Sequence, residues 1–228
     1  MKDFFESITI DRVYGVFLSL GYSTAVSFDL ASLCTLKISD YKFENLSRYK
    51  KNYFRYLHVK PQAVLAQGAP TSPALANLIC RHLDERFWKF SLSRGIQYTR
   101  YADDLTFSSN QLELLPNTSF VNKIVNEEGL QLNYQKIGTY GKSSRQMVTG
   151  ILINGESPKL PQKFKRQIYR HLHFCKKFGT YSHFNHIMPN YAHARQWLYG
   201  KIMYVNSIEP DEAKKMLSIA NSLDWGLL

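Results

Sequence analysis

Residues 96–109 read as two β-prone runs around a tight turn that carries Asp103 and Asp104 side by side, and this stretch constrains the fold more than any other. The pattern is strand, tight turn, strand, which predicts a hairpin with the acids at its turn. Adjacent carboxylates repel each other unless cations intervene. Magnesium suits such a pair, because it prefers oxygen ligands in octahedral geometry and shares its shell with phosphates. A lone Asp-Asp pair also fits an ordinary acidic turn, so the neighbouring residues decide.

Upstream, Gln67-Gly68-Ala69-Pro70 makes a glycine-proline turn, and Ser72-Pro73 leads into a helical pattern over 74–90. Gly68 lets the backbone approach a ligand, the prolines stiffen the turn, and the opening helix offers unpaired amides. That combination suits a nucleotide or a template strand, although alone it also fits plain loop chemistry. Further helices are predicted over 9–21, capped by Thr9 and stopped by Gly21, over 24–36, and over 120–129, stopped by Gly129. Strands are predicted over 131–137 and 146–154. From Lys159 onward the signals are helical, ending in a helix opened by Pro210, Asp211 and Glu212. The pattern gives an α+β chain of two parts, 1–158 and 159–228, with a boundary near Pro158.

The partner class is suggested by charge. The 228 residues carry a formal charge of +11, with 29 Lys and Arg against 18 Asp and Glu, and the excess is concentrated. One basic region over 37–60 interleaves its cations with Tyr and Phe; a second runs through Lys159, Lys163, Lys165, Arg166, Arg170, Lys176 and Lys177. Cations neutralise phosphates and aromatic rings stack on bases, so the composition suits nucleic acid. A solvated lysine face or contact with an anionic membrane surface gives the same composition. Cys34, Cys80 and Cys175 are too far apart to suggest a disulfide framework or a zinc site. No stretch resembles a signal peptide and no apolar run reaches the roughly 18 residues that span a bilayer, so a cytoplasmic protein without membrane partners is expected.

Several motifs carry a resemblance. Tyr101-Ala102-Asp103-Asp104 between apolar strands resembles the polymerase motif of reverse transcriptases, and the run from Gln67 to Leu78, QGAPTSPALANL, resembles the preceding motif of group II intron and retron enzymes. Glu128-Gly129-Leu130-Gln131-Leu132-Asn133-Tyr134-Gln135-Lys136 resembles the next motif. Val148-Thr149-Gly150 resembles the retron signature near the primer-binding strand, and Leu198-Tyr199-Gly200-Lys201-Ile202 resembles the thumb of these proteins. Together they resemble a bacterial retron-type reverse transcriptase. The resemblance implies a polymerase palm, an antiparallel sheet with helices packed on one face, followed by a mostly helical thumb. It implies an RNA-directed DNA polymerase in which Asp103 and Asp104 bind Mg2+, Lys136 lies near the leaving phosphates, and Gln67 and Gly68 line the nucleotide pocket. Val148, Thr149 and Gly150, with Lys163, Lys165 and Arg166 of the second basic region, would meet nucleic acid. The implied partners are a structured noncoding RNA serving as template and primer, the DNA product and dNTP. Retrons also admit an effector protein and a role in defence against phage, which no residue here identifies.

The opening Met1-Lys2-Asp3-Phe4-Phe5-Glu6-Ser7-Ile8 resembles the family's first catalytic motif, Asp-Ile-Lys-Asp-Phe-Phe, with Met1 in the place of the isoleucine. Aligned so, a metal-binding aspartate would stand immediately before Met1, and the fingers would be absent as well. The expectation is an N-terminally truncated enzyme with little or no polymerase activity alone. Asp3 is not expected to replace the aspartate, since side chains three positions apart on a strand face opposite ways. By resemblance Asp3 lies near the nucleotide phosphates and Phe5 matches the aromatic gate that excludes a ribose 2′-hydroxyl; both are also readable as structural residues. The alternative function is a noncatalytic RNA-binding remnant or subunit. A metal-dependent nuclease is a third reading, against which the long match around Gln67 argues.

Overall fold

The computed structural model describes residues 1–37, 63–187 and 193–226. Most of the first basic, aromatic region, from residue 38 onward, lies outside the described residues. The chain divides into two compact units, Met1–Gly138 and Thr139–Leu228, each with its own apolar core.

In the first unit, a 3-10 turn at Phe5–Ser7 leads into α1 (Ile10–Ser19), which packs against α2 (Thr24–Cys34). Thr9 has the extended backbone of an N-cap, although its side chain makes no capping bond, and Gly21 at φ 92 allows the chain to turn away. At α2 the Ser23 hydroxyl accepts from the Val26 N–H at 3.4 Å. Strand β1 (Thr35–Leu36) pairs antiparallel with β2 (Val64–Leu65), and Val64 also bridges Thr9.

The helix expected over 74–90 is two helices, α3 (Ser72–Ile79) and α4 (Arg81–Leu92), joined at Cys80, whose ψ of 6° departs from helical geometry. Cys80 is 1% exposed, and neighbouring side chains, not a local breaker residue, surround the joint. Strands β3 (Gln97–Tyr101) and β4 (Asp104–Ser108) form the expected hairpin. Helix α4 lies on one face of it through Phe87, whose ring meets Tyr98 at 5.3 Å and Phe107 at 5.2 Å. Helix α5 (Thr118–Glu127) opens on Asn117, which accepts from the Phe120 N–H at 2.8 Å, and ends before Gly129 at φ 71. Ile8, Val13, Leu65, Leu83, Phe87 and Val125 are enclosed at the centre of this unit.

The strand expected over 131–137 does not form. The Asn133 side chain accepts from the Gln135 N–H at 3.2 Å, a local bond that competes with strand pairing, and Tyr134–Lys136 becomes a 3-10 turn. The palm's single antiparallel sheet is likewise not seen among the described residues, which hold three separate two-stranded antiparallel sheets. The molecule is helix-rich with small sheets.

In the second unit the strand expected over 146–154 is a hairpin, β5 (Met147–Val148) with β6 (Ile151–Leu152), turning at Thr149 and Gly150. Four helices follow among the described residues: α6 (Gln162–Phe178), α7 (Thr180–Asn185), α8 (Ala194–Asn206) and α9 (Pro210–Asn221). They enclose Ile168, Leu172, Phe184, Leu198, Ile202 and Met216. The hairpin joins this unit because Leu152 bridges Lys159, and the Leu160 N–H donates to Glu209 Oε1 at 2.8 Å. Contacts therefore divide the chain after Gly138, whereas the change in sequence pattern falls near Pro158. No described helix is long and apolar enough to cross a membrane.

Candidate active site

The register of the acidic hairpin pairs Tyr101 with Asp104, leaving Ala102 and Asp103 as a two-residue turn. Such turns match the strand twist only with a left-handed residue inside, and Ala102 takes that conformation at φ 49. An alanine there is strained, since its Cβ crowds the following carbonyl. One side chain bonds the turn and ties it to two helices. Arg100 donates from Nε to Asp84 Oδ1 at 2.7 Å and from Nη2 to Asp84 Oδ2 at 2.6 Å. Its Nη1 donates to Asn77 Oδ1 and to the Ala102 carbonyl, each at 3.1 Å. The Tyr98 hydroxyl adds a bond to Asp84 at 2.8 Å, and burial followed by that bond holds the phenol protonated well above its ordinary range.

The N-terminal segment lies across this turn. The Met1 ammonium donates to the Asp103 carbonyl and stands 3.8 Å from Asp103 Oδ2. Burial pushes its pKa down, against the pull of Asp103 and Asp104, and Lys136 pushes the same way as burial. Asp103, Asp104 and Lys136 thus all act on the charge of the Met1 amine, and of the three it is Asp103 that contacts it directly. Next along, the Lys2 N–H donates to the Gln131 carbonyl at 2.8 Å, while Ile8 accepts from the Leu65 N–H at 2.9 Å. The segment is therefore tied to the hairpin, to the residues before Lys136 and to β2.

Asp3 does not continue a strand. It turns at φ 43, and its carbonyl accepts from the Ser7 N–H at 2.9 Å and the Ser7 hydroxyl at 2.8 Å. The alternation of strand faces therefore does not describe its direction. Phe5 packs half-buried against the core and meets Phe4 edge-on at 5.3 Å. Gln67 and Gly68 are exposed in the turn that follows β2, where Gly68 takes φ 89. That turn is closed by the buried Ser72, whose hydroxyl donates to the Ala66 carbonyl.

Two exposed or half-exposed carboxylates offer hard oxygen ligands, which fits a magnesium ion that keeps several waters and takes further oxygens from phosphate. Among the described residues no group of three His, Cys, Asp or Glu side chains forms a fuller metal cluster.

The remaining predicted contacts lie in the second unit. Thr149 and Gly150, at φ 48 and 86, form the turn of the β5–β6 hairpin, and the Thr149 hydroxyl donates to the Val148 carbonyl at 2.8 Å. The three-residue signature thus has a local structural reason. Lys163 and Arg166 are exposed on α6. Lys165 is not: it is 6% exposed, and its ammonium donates to Glu209 Oε2 at 2.7 Å. Its helix position turns it into the core, so it is withdrawn from the nucleic-acid contacts.

The sequence reading missed Arg100, Asp84 and Asn77. A signal existed: Tyr98 and Arg100 share one face of β3, so Arg100 points inward with the Tyr98 ring and needs an acid.

Residues 1–152 match the family model described as reverse transcriptase (RNA-dependent DNA polymerase). Among known proteins the chain is similar to the retron Ec86 reverse transcriptase of Escherichia coli, 33% identical over 227 residues, covering 98% of this chain and 59% of that protein. It is also similar to two proteins of Myxococcus xanthus. The retron Mx65 reverse transcriptase is 32% identical over 217 residues, covering 95% of this chain and 47% of that protein. The retron Mx162 reverse transcriptase is 33% identical over 194 residues, covering 78% and 38%. The chain spans about half the length of these curated relatives.

Proposed function

The chain belongs to the reverse transcriptase family, and from that premise we propose that it carries the nucleotidyl-transfer palm and the thumb of a retron-type RNA-directed DNA polymerase. The observation that carries this reading is the Asp103–Asp104 turn itself, open to solvent, pinned by Arg100 and crossed by the N-terminal segment at Asp103. In this reading Asp103 and Asp104 hold Mg2+, which when bound supplies positive charge to the attacking primer oxygen and the nucleotide phosphates.

The chain's own residues do the positioning. Lys136 is exposed and neutralises the leaving pyrophosphate. Gln67 and Gly68, on the turn after β2, contact the nucleotide, with Asp3 near its phosphates and Phe5 beside the sugar. Residues 159–228 act as the thumb, where exposed Lys163 and Arg166 meet the phosphate backbone of an RNA–DNA hybrid. Val148, Thr149 and Gly150 present the hairpin to the primer. The partners are a structured RNA, its DNA copy and dNTP. A polypeptide of these 228 residues, with two carboxylates at the site, is expected to extend primers weakly or not at all, because small losses of metal and nucleophile positioning lower rates severely.

The test is therefore nucleotide binding. With an RNA–DNA hybrid present, this polypeptide should bind dNTP in a Mg2+-dependent way, and Asp103→Asn should weaken that binding at least tenfold while hybrid binding stays within twofold. Salt-sensitive hybrid binding with no metal-dependent dNTP binding would instead support a noncatalytic RNA-binding subunit.

A further inference from the structure

We propose that Arg100 is a positioning residue that sets the direction of the Asp103–Asp104 pair, by locking the strained Ala102 turn to two helices at once. The inference rests on the reading of that pair as a metal site. Its basis is the bond geometry of one guanidinium.

Arg100 has five N–H donors in a rigid fork, and four bonds are made here. Two run in parallel to the Asp84 carboxylate on α4. One reaches Asn77 on α3, the helix opened by the Gln67–Ser72 turn, and one reaches the carbonyl of Ala102 itself. The side chain is 5% exposed, so these bonds face little competition from water.

The consequence follows from backbone geometry. Ala102 sits at φ 49, a conformation that an L residue leaves readily unless its surroundings hold it. Its carbonyl belongs to the peptide whose nitrogen is that of Asp103. Fixing that peptide plane fixes the exit direction of the first acid, and the β3–β4 register then fixes the second. Asn77 belongs to the same continuous motif as Gln67 and Gly68, so one side chain ties the nucleotide-side turn to the acidic turn.

Lysine cannot replace this arrangement. It keeps the charge but has three donors on one point and no planar fork, so it cannot reproduce the paired bonds to Asp84 together with those to Asn77 and Ala102. Tyr98 provides the control, because its hydroxyl bonds only the Asp84 side of the network in the contacts described.

The experiment titrates Mn2+, followed by electron paramagnetic resonance, into the 228-residue polypeptide and its variants, with thermal midpoints measured in parallel. Arg100→Lys and Arg100→Gln should each weaken Mn2+ binding at least fivefold at temperatures where they remain folded. Tyr98→Phe should lower the midpoint yet leave Mn2+ affinity within twofold. Asn77 is exposed, so Asn77→Ala should fold even where an Arg100 substitution does not, and should weaken Mn2+ binding two- to threefold. Unchanged affinity in the Arg100 and Asn77 variants, with Asp103→Asn abolishing binding, would overturn the inference alone. Unchanged affinity in Asp103→Asn would overturn the metal reading and the inference with it.

Discussion

His171 shows how a single side chain in the second unit couples stability to pH. It is 9% exposed, stacked on Phe184 with ring centroids 5.9 Å apart and meeting the edge of Trp197 at 5.2 Å, and its Nδ1 lies 3.0 Å from His183 Nε2. Two imidazoles at that distance share one hydrogen, so at least one ring must accept and be neutral at that nitrogen. Burial first, then the charge on His183, Arg170 and Lys201, pushes the His171 pKa down to about 4. The unfolded chain titrates near about 6.5, and the folded value lies below it, so the neutral ring's contribution is complete above about pH 6.5. It is lost as pH falls from there toward about 4, to the extent of about 3 kcal/mol at most. In a Trp88→Phe background, where Trp197 and Trp225 report on this unit, His171→Phe should flatten the fall in unfolding midpoint between pH 6.5 and 5. An equally steep fall in the variant would assign the effect to other groups. Lys165 teaches the converse, that a basic residue within a basic run can be a core ion pair. The run of cations was legible in the sequence, but which of them faces water depends on the turn of α6.

At the scale of elements, the two hairpins use the same device with different residues. The β5–β6 turn places Thr149 and Gly150 both in the left-handed region, the pattern of a type I′ turn, and the space around a Cβ added at Gly150 is open. The cost of Gly150→Ala is therefore conformational and not steric, about 1 kcal/mol. Thermal unfolding together with amide exchange in 146–153 should show a local loss of protection of that size; no change in exchange would mean the turn relaxes freely. The helix ends of α1, α2 and α5 were readable to within about two residues, and in α1 and α5 a glycine just beyond the last turn marks the stop. The break at Cys80 was not, since the apolar periodicity runs through it. The lost strand near Asn133 was hidden for a related reason, because β-prone neighbours outweighed one side-chain bond. The acids and the Gln67 turn were readable from motif and spacing. Arg100 was not recognised, since only pairing across α3, α4 and β3 reveals what it does.

For the molecule as a whole, two cores carry two tasks in the proposed function. The unit with the acidic hairpin supplies chemistry, and the helical unit supplies cations, among them exposed Lys163, Arg166, Lys176 and Lys177. The net charge of +11 suits a polyanionic partner, which the proposed function takes to be the nucleic acids of reverse transcription. The central proposal is that the Asp103–Asp104 turn holds a polymerase metal ion, and the Met1 nitrogen stands 3.8 Å from Asp103 Oδ2. A residue joined to that nitrogen stands beside the pair, so its chemistry is directly testable. The measurement is Mn2+ affinity of the 228-residue polypeptide carrying an additional aspartate, or an additional asparagine, immediately before Met1. The account predicts at least a tenfold gain with aspartate, no gain with asparagine, and loss of the gain when Asp103→Asn is added; equal affinities for the aspartate and asparagine forms would contradict it.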